Sequence, residues 1–235
     1  MGSEGMISEI SILCDFDGTL SLRDMVATIA LEFAPHTSRP LIEAVQAREI
    51  SVREGVSEMF RNIPASKYSE VVKFSRERTV LRPGAFAMVD YAMQQGWNFS
   101  VVSGGFDFFV RPALLPVASF IRIYCNRLRE KKGMLEVVWP YGCDESCDGG
   151  CGLCKVSLLR QHQKEGRKIL LIGDGVTDVK AARLADYVFA RSVLAEILRE
   201  EGVPFTPYET FHDIIRALSD NASEVHQYVS IQSSC

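Results

Sequence analysis

The sequence Cys14-Asp15-Phe16-Asp17-Gly18-Thr19 follows residues 10–13, three of which are apolar and predict the end of a buried β-strand. Gly18 predicts a sharp turn that carries two carboxylates past the end of that strand. Carboxylates in such a place need a cation, hydrogen bonds or protonation, because an unpaired buried charge is costly. The simplest solution is a hard divalent cation with oxygen ligands. Asp15 is then a candidate nucleophile, and Asp17 a candidate general acid and base.

The composition is that of a globular protein of 235 residues, long enough for one core domain and a smaller accessory domain. The formal net charge of -4 argues against a general nucleic-acid or membrane surface. No apolar run approaches the roughly 20 residues needed to span a bilayer, and the N-terminus has no signal-peptide pattern. Seven cysteines without such a pattern favour a reducing compartment, so we predict a cytoplasmic protein. The sequence predicts no oligomeric state.

The order of the predicted elements divides the chain into two parts. Residues 21–80 show helical periodicity without a convincing strand, and predict an inserted helical cap. From residue 81 onward strands and helices alternate, and this alternation predicts an α/β fold with a doubly wound parallel sheet, formed by residues 1–20 and 81–235. Residues 133–154 interrupt the alternation and predict a β-arm followed by a cysteine-rich loop. The later strands are expected near 97–102, 120–124, 168–172, 187–190 and 203–206.

Three further features follow predicted strands or begin a predicted helix. Ser103-Gly104-Gly105 offers a hydroxyl and exposed backbone amides that suit phosphate oxygens. Lys155 begins a predicted helix, and Gly173-Asp174-Gly175-Val176-Thr177-Asp178 follows an apolar strand. Taken singly, each has a simpler explanation as a turn, a loop or a surface lysine. Because the carboxyl ends of parallel strands share one edge of a sheet, we expect these groups to meet Asp15 and Asp17 there.

In this order the motifs resemble those of the haloacid dehalogenase-like hydrolases, and the resemblance covers nearly the whole chain. It implies the Rossmann-like fold of that family and phosphoryl transfer through an aspartyl-phosphate. Asp15 would be the nucleophile, while Asp17 would protonate the leaving alcohol and then activate water. The resemblance also assigns Mg²⁺ to Asp15, the backbone carbonyl of Asp17, Asp174 and Asp178. It assigns the phosphoryl group to Ser103, Gly104 and Lys155.

Other segments resemble the phosphoserine-phosphatase-like branch of this family and, within it, phosphatases of methionine salvage. The resemblance implies a small phosphorylated metabolite, an enol-sugar derivative with a methylthio tail. Phosphoserine phosphatases use a cap glutamate and a cap arginine for the amino acid. Here Asp24 replaces the glutamate and Gly55 stands in place of the arginine, with Arg53 nearby as a candidate substitute. Phosphoserine phosphatase, another small-metabolite phosphatase and a catalytically idle binding protein therefore remain alternatives.

Several residues of the predicted cap leave two interpretations open. Asp24 is either the third helical residue of a capping box begun by Ser21, or a contact to the substrate. Met25, Met59 and Phe60 are either the core of the cap or contacts to the methylthio group.

Four cysteines, Cys143, Cys147, Cys151 and Cys154, lie within twelve residues and end beside Lys155. Tetrahedral zinc uses four such thiolates, and fixing Cys154 would fix the neighbouring lysine. The spacing is tighter than in paired zinc knuckles, so a structural metal, disulfides and free thiols all remain open.

Overall fold

A computed structural model describes residues 10–147 and 149–220 of the chain. These residues contain a seven-stranded sheet with the spatial order β4-β3-β2-β1-β5-β6-β7. Its strands are β1 (Ile10–Cys14), β2 (Asn98–Phe106), β3 (Arg122–Lys131), β4 (Met134–Val138), β5 (Lys168–Gly173), β6 (Tyr187–Ala190) and β7 (Thr206–Pro207). All neighbouring pairs are parallel except β3 and β4. The predicted α/β fold with a doubly wound sheet is confirmed.

Four helices fall within the predicted insertion, and six follow it. They are α1 (Met25–Phe33), α2 (Pro35–Gln46), α3 (Val52–Arg61), α4 (Tyr68–Arg78), α5 (Ala85–Gln94), α6 (Asp107–Ala113), α7 (Lys155–Lys164), α8 (Val179–Ala182), α9 (Ser192–Glu201) and α10 (Phe211–Asp220). The chain enters and leaves the insertion side by side, since Leu22 N–H donates to the Val80 carbonyl at 2.9 Å. The division into a cap of residues 21–80 and a core of residues 1–20 and 81–235 stays a prediction. Residues 1–9 and 221–235 of that core lie outside the described residues.

The central strand β1 is buried on both faces of the sheet. Ile12 and Cys14 pack into one hydrophobic cluster, and Leu13, between them, packs into the other. This alternation explains why the strand is apolar at successive positions, as a parallel strand covered on both sides must be. Each such buried aliphatic side chain contributes about 1.5–3 kcal/mol relative to exposure. The sheet therefore holds the end of β1 rigidly at its centre.

Two predicted strand boundaries differ from the structure. The strand expected near 120–124 begins at Arg122 and runs on to Lys131, and it forms an antiparallel hairpin with β4 in the region of the predicted β-arm. The last strand is only two residues long, Thr206–Pro207.

The predicted capping box at Ser21 is wrong. Helix α1 begins only at Met25, and Asp24 is its N-cap, accepting a hydrogen bond from the Ala27 N–H at 2.9 Å. Ser21 instead pairs with Leu81 in an antiparallel bridge, and its hydroxyl donates to the Phe16 carbonyl at 3.0 Å. Pairing with the returning chain has overridden the local sequence preference.

Candidate active site

The turn after β1 brings the first two acids to the carboxyl edge of the sheet. Asp15 N–H still pairs with the sheet, donating to the Ile172 carbonyl of β5 at 2.9 Å. Gly18 then adopts φ +78°, and a Cβ at this position would lie 2.2 Å from Asp174 Oδ2. Only glycine combines this backbone conformation with so close an approach. The turn therefore packs directly against the carboxylate that follows β5.

Lys155 lies between two carboxylates in the interior of the site. Its Nζ is 2.8 Å from Asp15 Oδ1 and also forms an ion pair with Asp178. Thr177 Oγ1 is 3.3 Å away, and the lysine side chain is only 5% exposed. Asp15 and Asp178 together raise the pKa of Lys155 although burial opposes them, so the ammonium is the stable form.

Three carboxylates converge in the same place. One ligand oxygen from each of Asp15, Asp174 and Asp178 lies within 4.8 Å of the others. Asp174 accepts a hydrogen bond from the Thr19 hydroxyl at 2.8 Å, and Asp178 accepts the N–H groups of Asp174 and Gly175, both at 3.1 Å. Three acids facing one lysine leave a deficit of positive charge. Hard carboxylate oxygens in this arrangement fit a divalent cation such as Mg²⁺.

Burial and the neighbouring carboxylates shift the pKa values of two of these acids. Burial, followed by the charges of Asp178 and Asp174, raises the pKa of Asp15, although Lys155 acts in the opposite direction. Burial and Asp178 raise the pKa of Asp174 to about 6. Both shifts have the sign expected of a site built to receive another cation.

Asp17 is held by hydrogen bonds from both the sheet and the first helix of the insertion. Ser103 Oγ donates to Asp17 Oδ2 at 3.0 Å, and the N–H of Met25, which begins α1, donates to Oδ1 at 3.0 Å. Ser103 Oγ accepts the Gly105 N–H at 2.9 Å. Burial, and then the charge of Asp24, raises the pKa of Asp17 to about 7. A carboxyl group with such a pKa can both give and take a proton near neutral pH.

A cavity of about 680 Å³ opens above these acids. Its floor includes Asp15, Asp17, Asp174 and Gly104, whereas its walls come largely from α1, α2 and α3. Those wall residues are mostly aliphatic: Val26, Ala27, Ile42, Val45, Val52, Val56 and Met59, with Asp24 and Gln46 as the polar members. Among the described residues that line the cavity, none is an arginine or a lysine.

The candidate cap contacts separate into different places. Asp24 lines the cavity in addition to capping α1. Arg53 does not line it: its guanidinium lies 6.0 Å from the centre of the Trp139 ring, and it borders two other cavities together with Ser57 and Arg61. Met59 lines the cavity, while Met25 and Phe60 are fully buried in the core.

Sequence reasoning missed Arg82, which braces the turn after β1. This buried guanidinium donates to the carbonyls of Gly18 at 2.7 Å and Thr19 at 2.8 Å, and to that of Glu209 at 3.2 Å. Its position directly before Pro83 and Gly84 carries no recognisable motif. Only the returning chain, which pairs with Leu20 at this point, brings it to the turn.

The four clustered cysteines converge as well. The Sγ atoms of Cys143, Cys147, Cys151 and Cys154 all lie within 4.8 Å of one another. No disulfide joins them in the described part of the chain. The fourth, Cys154, is the N-cap of α7 and directly precedes Lys155.

None of the described helices is both long enough and apolar enough to cross a bilayer.

The family model of the haloacid dehalogenase-like hydrolases matches residues 12–183.

Two bacterial relatives named 2-hydroxy-3-keto-5-methylthiopentenyl-1-phosphate phosphatase align along most of their length. The protein of Exiguobacterium sibiricum is 39% identical over 207 residues, which cover 88% of this chain and 94% of the relative. That of Brevibacillus brevis is 37% identical over 221 residues, covering 94% of this chain and 100% of the relative.

Solved structures of phosphoserine phosphatases share the fold at much lower identity. One, described as a phospho-aspartyl intermediate analogue, superposes with a TM-score of 0.67 at 21% identity, covering 89% of this chain and 98% of that one. The phosphoserine phosphatase from T. onnurineus gives a TM-score of 0.71 at 16% identity, covering 93% and 98%.

Proposed function

The chain belongs to the haloacid dehalogenase-like hydrolases, and from this premise we propose that it is a Mg²⁺-dependent phosphomonoester hydrolase acting through an aspartyl-phosphate. We propose 2-hydroxy-3-keto-5-methylthiopentenyl-1-phosphate as the substrate, which would place the enzyme in methionine salvage. The named relatives, at 37–39% identity over most of the chain, support this substrate. The cytoplasmic location stays a prediction.

The lining of the cavity above the acids is the structural feature that supports this substrate. A phosphate on the Asp15 floor would place the rest of a small substrate against aliphatic side chains such as Val52, Val56 and Met59. Such a wall favours an apolar methylthio tail through the hydrophobic effect. An amino-acid phosphate would also need a cation for its carboxylate, and no arginine or lysine is among the described residues that line this cavity. The likeness to phosphoserine phosphatases concerns the fold and carries no such preference.

The positions of the polar groups support the following sequence of steps. Asp15 attacks phosphorus while Asp17 delivers a proton to the leaving alcohol, whose bond to phosphorus breaks. Asp17 then takes a proton from the water that attacks the aspartyl-phosphate, which releases inorganic phosphate and restores the Asp15 carboxylate. Lys155 and Ser103 would hold the phosphoryl oxygens, together with the backbone at Gly104.

Two metal sites belong to this proposal. Asp15, Asp174 and Asp178 would hold Mg²⁺, with the backbone carbonyl of Asp17 as the fourth ligand inferred from the resemblance. Bound Mg²⁺ supplies positive charge to the phosphoryl group in transit. The four clustered cysteines offer soft sulfur ligands, and we assign them to a structural zinc ion.

A steady-state panel tests the substrate assignment. With Mg²⁺ present, kcat/KM for the methylthiopentenyl phosphate should exceed that for phosphoserine and for sugar phosphates. A value no better than theirs would remove this substrate and leave another small-metabolite phosphatase. Failure to hydrolyse any phosphomonoester, including p-nitrophenyl phosphate, would support the idle binding protein.

A variant of the cavity wall links the result to the structure. Val56→Thr keeps the side-chain shape but exchanges a methyl group for a hydroxyl on the cavity wall. Because burying a hydroxyl without a partner costs about 1–3 kcal/mol, kcat/KM for the tailed substrate should fall about 5- to 160-fold. Turnover of p-nitrophenyl phosphate, which lacks the tail, should change far less. Val72→Thr on α4 is the matched control, since Val72 does not line the cavity.

A further inference from the structure

The four clustered thiols are spaced for a single four-coordinate metal ion. Cys147 Sγ and Cys154 Sγ are 3.7 Å apart, and all four sulfurs lie within 4.8 Å of one another. Zinc–sulfur bonds of about 2.3 Å in a tetrahedron place the sulfurs about 3.8 Å apart. A disulfide needs about 2.05 Å, and an iron–sulfur cluster spreads its cysteines more widely because iron and sulfide lie between them. The spacing therefore favours one zinc ion.

The loop that carries these thiols is shaped to bring them together. Gly149, Gly150 and Gly152 have φ of +84°, +80° and +71°, which permits tight turns between the cysteines. Cys154 Sγ accepts the N–H of Ser157 at 3.4 Å, a bond that orients a metal-binding sulfur. Between β4 and α7, the described residues form neither helix nor strand. A bound metal ion would hold this loop in one conformation in place of the hydrogen bonds of a helix or a strand.

The C-terminal end of the cysteine loop is joined to the catalytic lysine. Cys154 is fixed by its own N–H, which donates to the Tyr141 carbonyl at 3.0 Å, and its side chain caps α7. Lys155 is the first residue of that helix and reaches Asp15 at 2.8 Å. A displacement of Cys154 would therefore move the ammonium group away from the nucleophile.

The middle of the same loop touches the helix that forms the cavity wall. The Gly150 carbonyl accepts the N–H of Arg53, at the start of α3, at 3.0 Å. Gly150 also packs so closely on Ser51 that a Cβ there would lie 2.9 Å from the serine Cβ. Helix α3 carries Val52 and Val56 of the cavity wall. One short loop thus contacts α3, which forms part of the cavity wall, and also leads directly into Lys155.

We infer that zinc bound by Cys143, Cys147, Cys151 and Cys154 is a positioning device, which sets Lys155 in the phosphate site and seats α3 against the cysteine loop. The catalytic part of this inference rests on the proposed phosphatase function. The metal takes no part in the chemistry. Loss of the zinc ion should lower kcat by displacing Lys155, and it should loosen the contact between α3 and the cysteine loop. A displacement of the lysine by about 1 Å is expected to lower the rate about 100-fold.

The first experiment measures metal rather than activity. Protein purified without chelator should contain one zinc per chain by elemental analysis, and Co²⁺ exchanged into the site should give the visible spectrum of tetrahedral thiolate coordination. Cys147→Ser should lose both. Cys125→Ser is the control, because Cys125 lies in β3 outside the cluster, and it should retain both. Zinc near zero, or a cobalt spectrum unchanged by Cys147→Ser, would overturn the inference.

The second experiment tests positioning. After chelation and return to Mg²⁺ alone, kcat for p-nitrophenyl phosphate should fall at least tenfold, protease cleavage near Gly150 should increase, and added zinc should reverse both effects. Unchanged kcat and unchanged cleavage in zinc-free protein would refute the positioning role. If the intact protein binds zinc and is protected from protease but hydrolyses no phosphomonoester, the proposed function fails while the zinc site stands.

Discussion

Replacing Lys155 with methionine removes one charge from the centre of the site while keeping the length of the side chain. The lysine is paired with Asp15 and Asp178, and none of the three side chains is more than 6% exposed. Asp174 contributes a third carboxylate to the same cluster. The substitution therefore leaves three neighbouring acids without the cation that the chain itself provides.

The expected loss of stability is large. Removing one partner of a buried ion pair costs about 3–5 kcal/mol, because the remaining charge is buried and uncompensated. In a chain of this length 1 kcal/mol corresponds to about 2–4 °C in Tm. We expect the Tm of Lys155→Met to fall by about 6–20 °C without divalent cations. Mg²⁺ should recover part of the loss, since it would supply positive charge to the same carboxylates.

Thermal melts followed by circular dichroism, with and without Mg²⁺, measure this effect. Lys168→Met is the matched control, because Lys168 pairs with Asp186 at 3.0 Å but both side chains are about one-third exposed, at 34% and 33%. A surface pair of this kind contributes at most about 1 kcal/mol, so Tm should change by less than about 4 °C. If Lys155→Met melts no lower than Lys168→Met, the three acids are not held together by the lysine charge.

Three other predictions concern the acid, the turn and a buried histidine. Asp17→Asn keeps the shape of the side chain: its amide oxygen can still accept the Met25 N–H, and its amide nitrogen can donate to Ser103 Oγ, so the fold should persist. We expect kcat/KM, which reports the steps up to departure of the alcohol, to fall about 10²- to 10⁴-fold for an alkyl phosphate and less for p-nitrophenyl phosphate, whose leaving group needs no proton. Equal losses of kcat/KM for both substrates would argue against general acid catalysis. Gly18→Ala would place a Cβ against Asp174 and should raise the Mg²⁺ concentration needed for half-maximal activity about tenfold or more. Gly96→Ala is the control: Gly96 also has a positive φ, but a Cβ there would have no neighbour within 4 Å, so the Mg²⁺ requirement should not change. Burial lowers the pKa of His162 below its ordinary 6.5, so the unfolded chain binds a proton that the folded chain does not, and the free energy of unfolding should fall as the pH drops below about 6.5. Urea unfolding above and below that pH should show a smaller fall for His162→Gln than for the unmodified protein. An identical fall in both proteins would contradict this origin.

The candidate catalytic motifs could be placed from the sequence because each is local. An apolar strand followed by Asp15 and Gly18, and another followed by residues 173–178, predict strand ends, and parallel strands present their carboxyl ends at one edge. The sequence also predicts Lys155 at the start of a helix, and α7 begins at this residue. The structure confirms those element positions. The assignment of individual catalytic roles rests on geometry together with the family resemblance, and stays a proposal.

The cap was harder to predict, because the rotation of a helix about its own axis depends on what packs against it. Arg53 and Val52 are adjacent in sequence, yet Arg53 lies over Trp139 and does not line the cavity, while Val52 forms part of its wall. Ser21 carries a plausible helix-capping pattern, but pairing with Leu81 delays the helix to Met25. Local preferences of about 1 kcal/mol yield to such tertiary contacts.

The sequence by itself determined the sheet, the acids at its carboxyl edge and the turn after β1, because strand hydrophobicity, glycine conformation and carboxylate chemistry act within a few residues. Only the tertiary structure decided that Gly18 is pressed against Asp174, that Arg82 braces the turn and that four cysteines reach one point. These are contacts between residues distant in sequence or held by an irregular loop. Their geometry depends on how the packed elements meet, which no local pattern encodes.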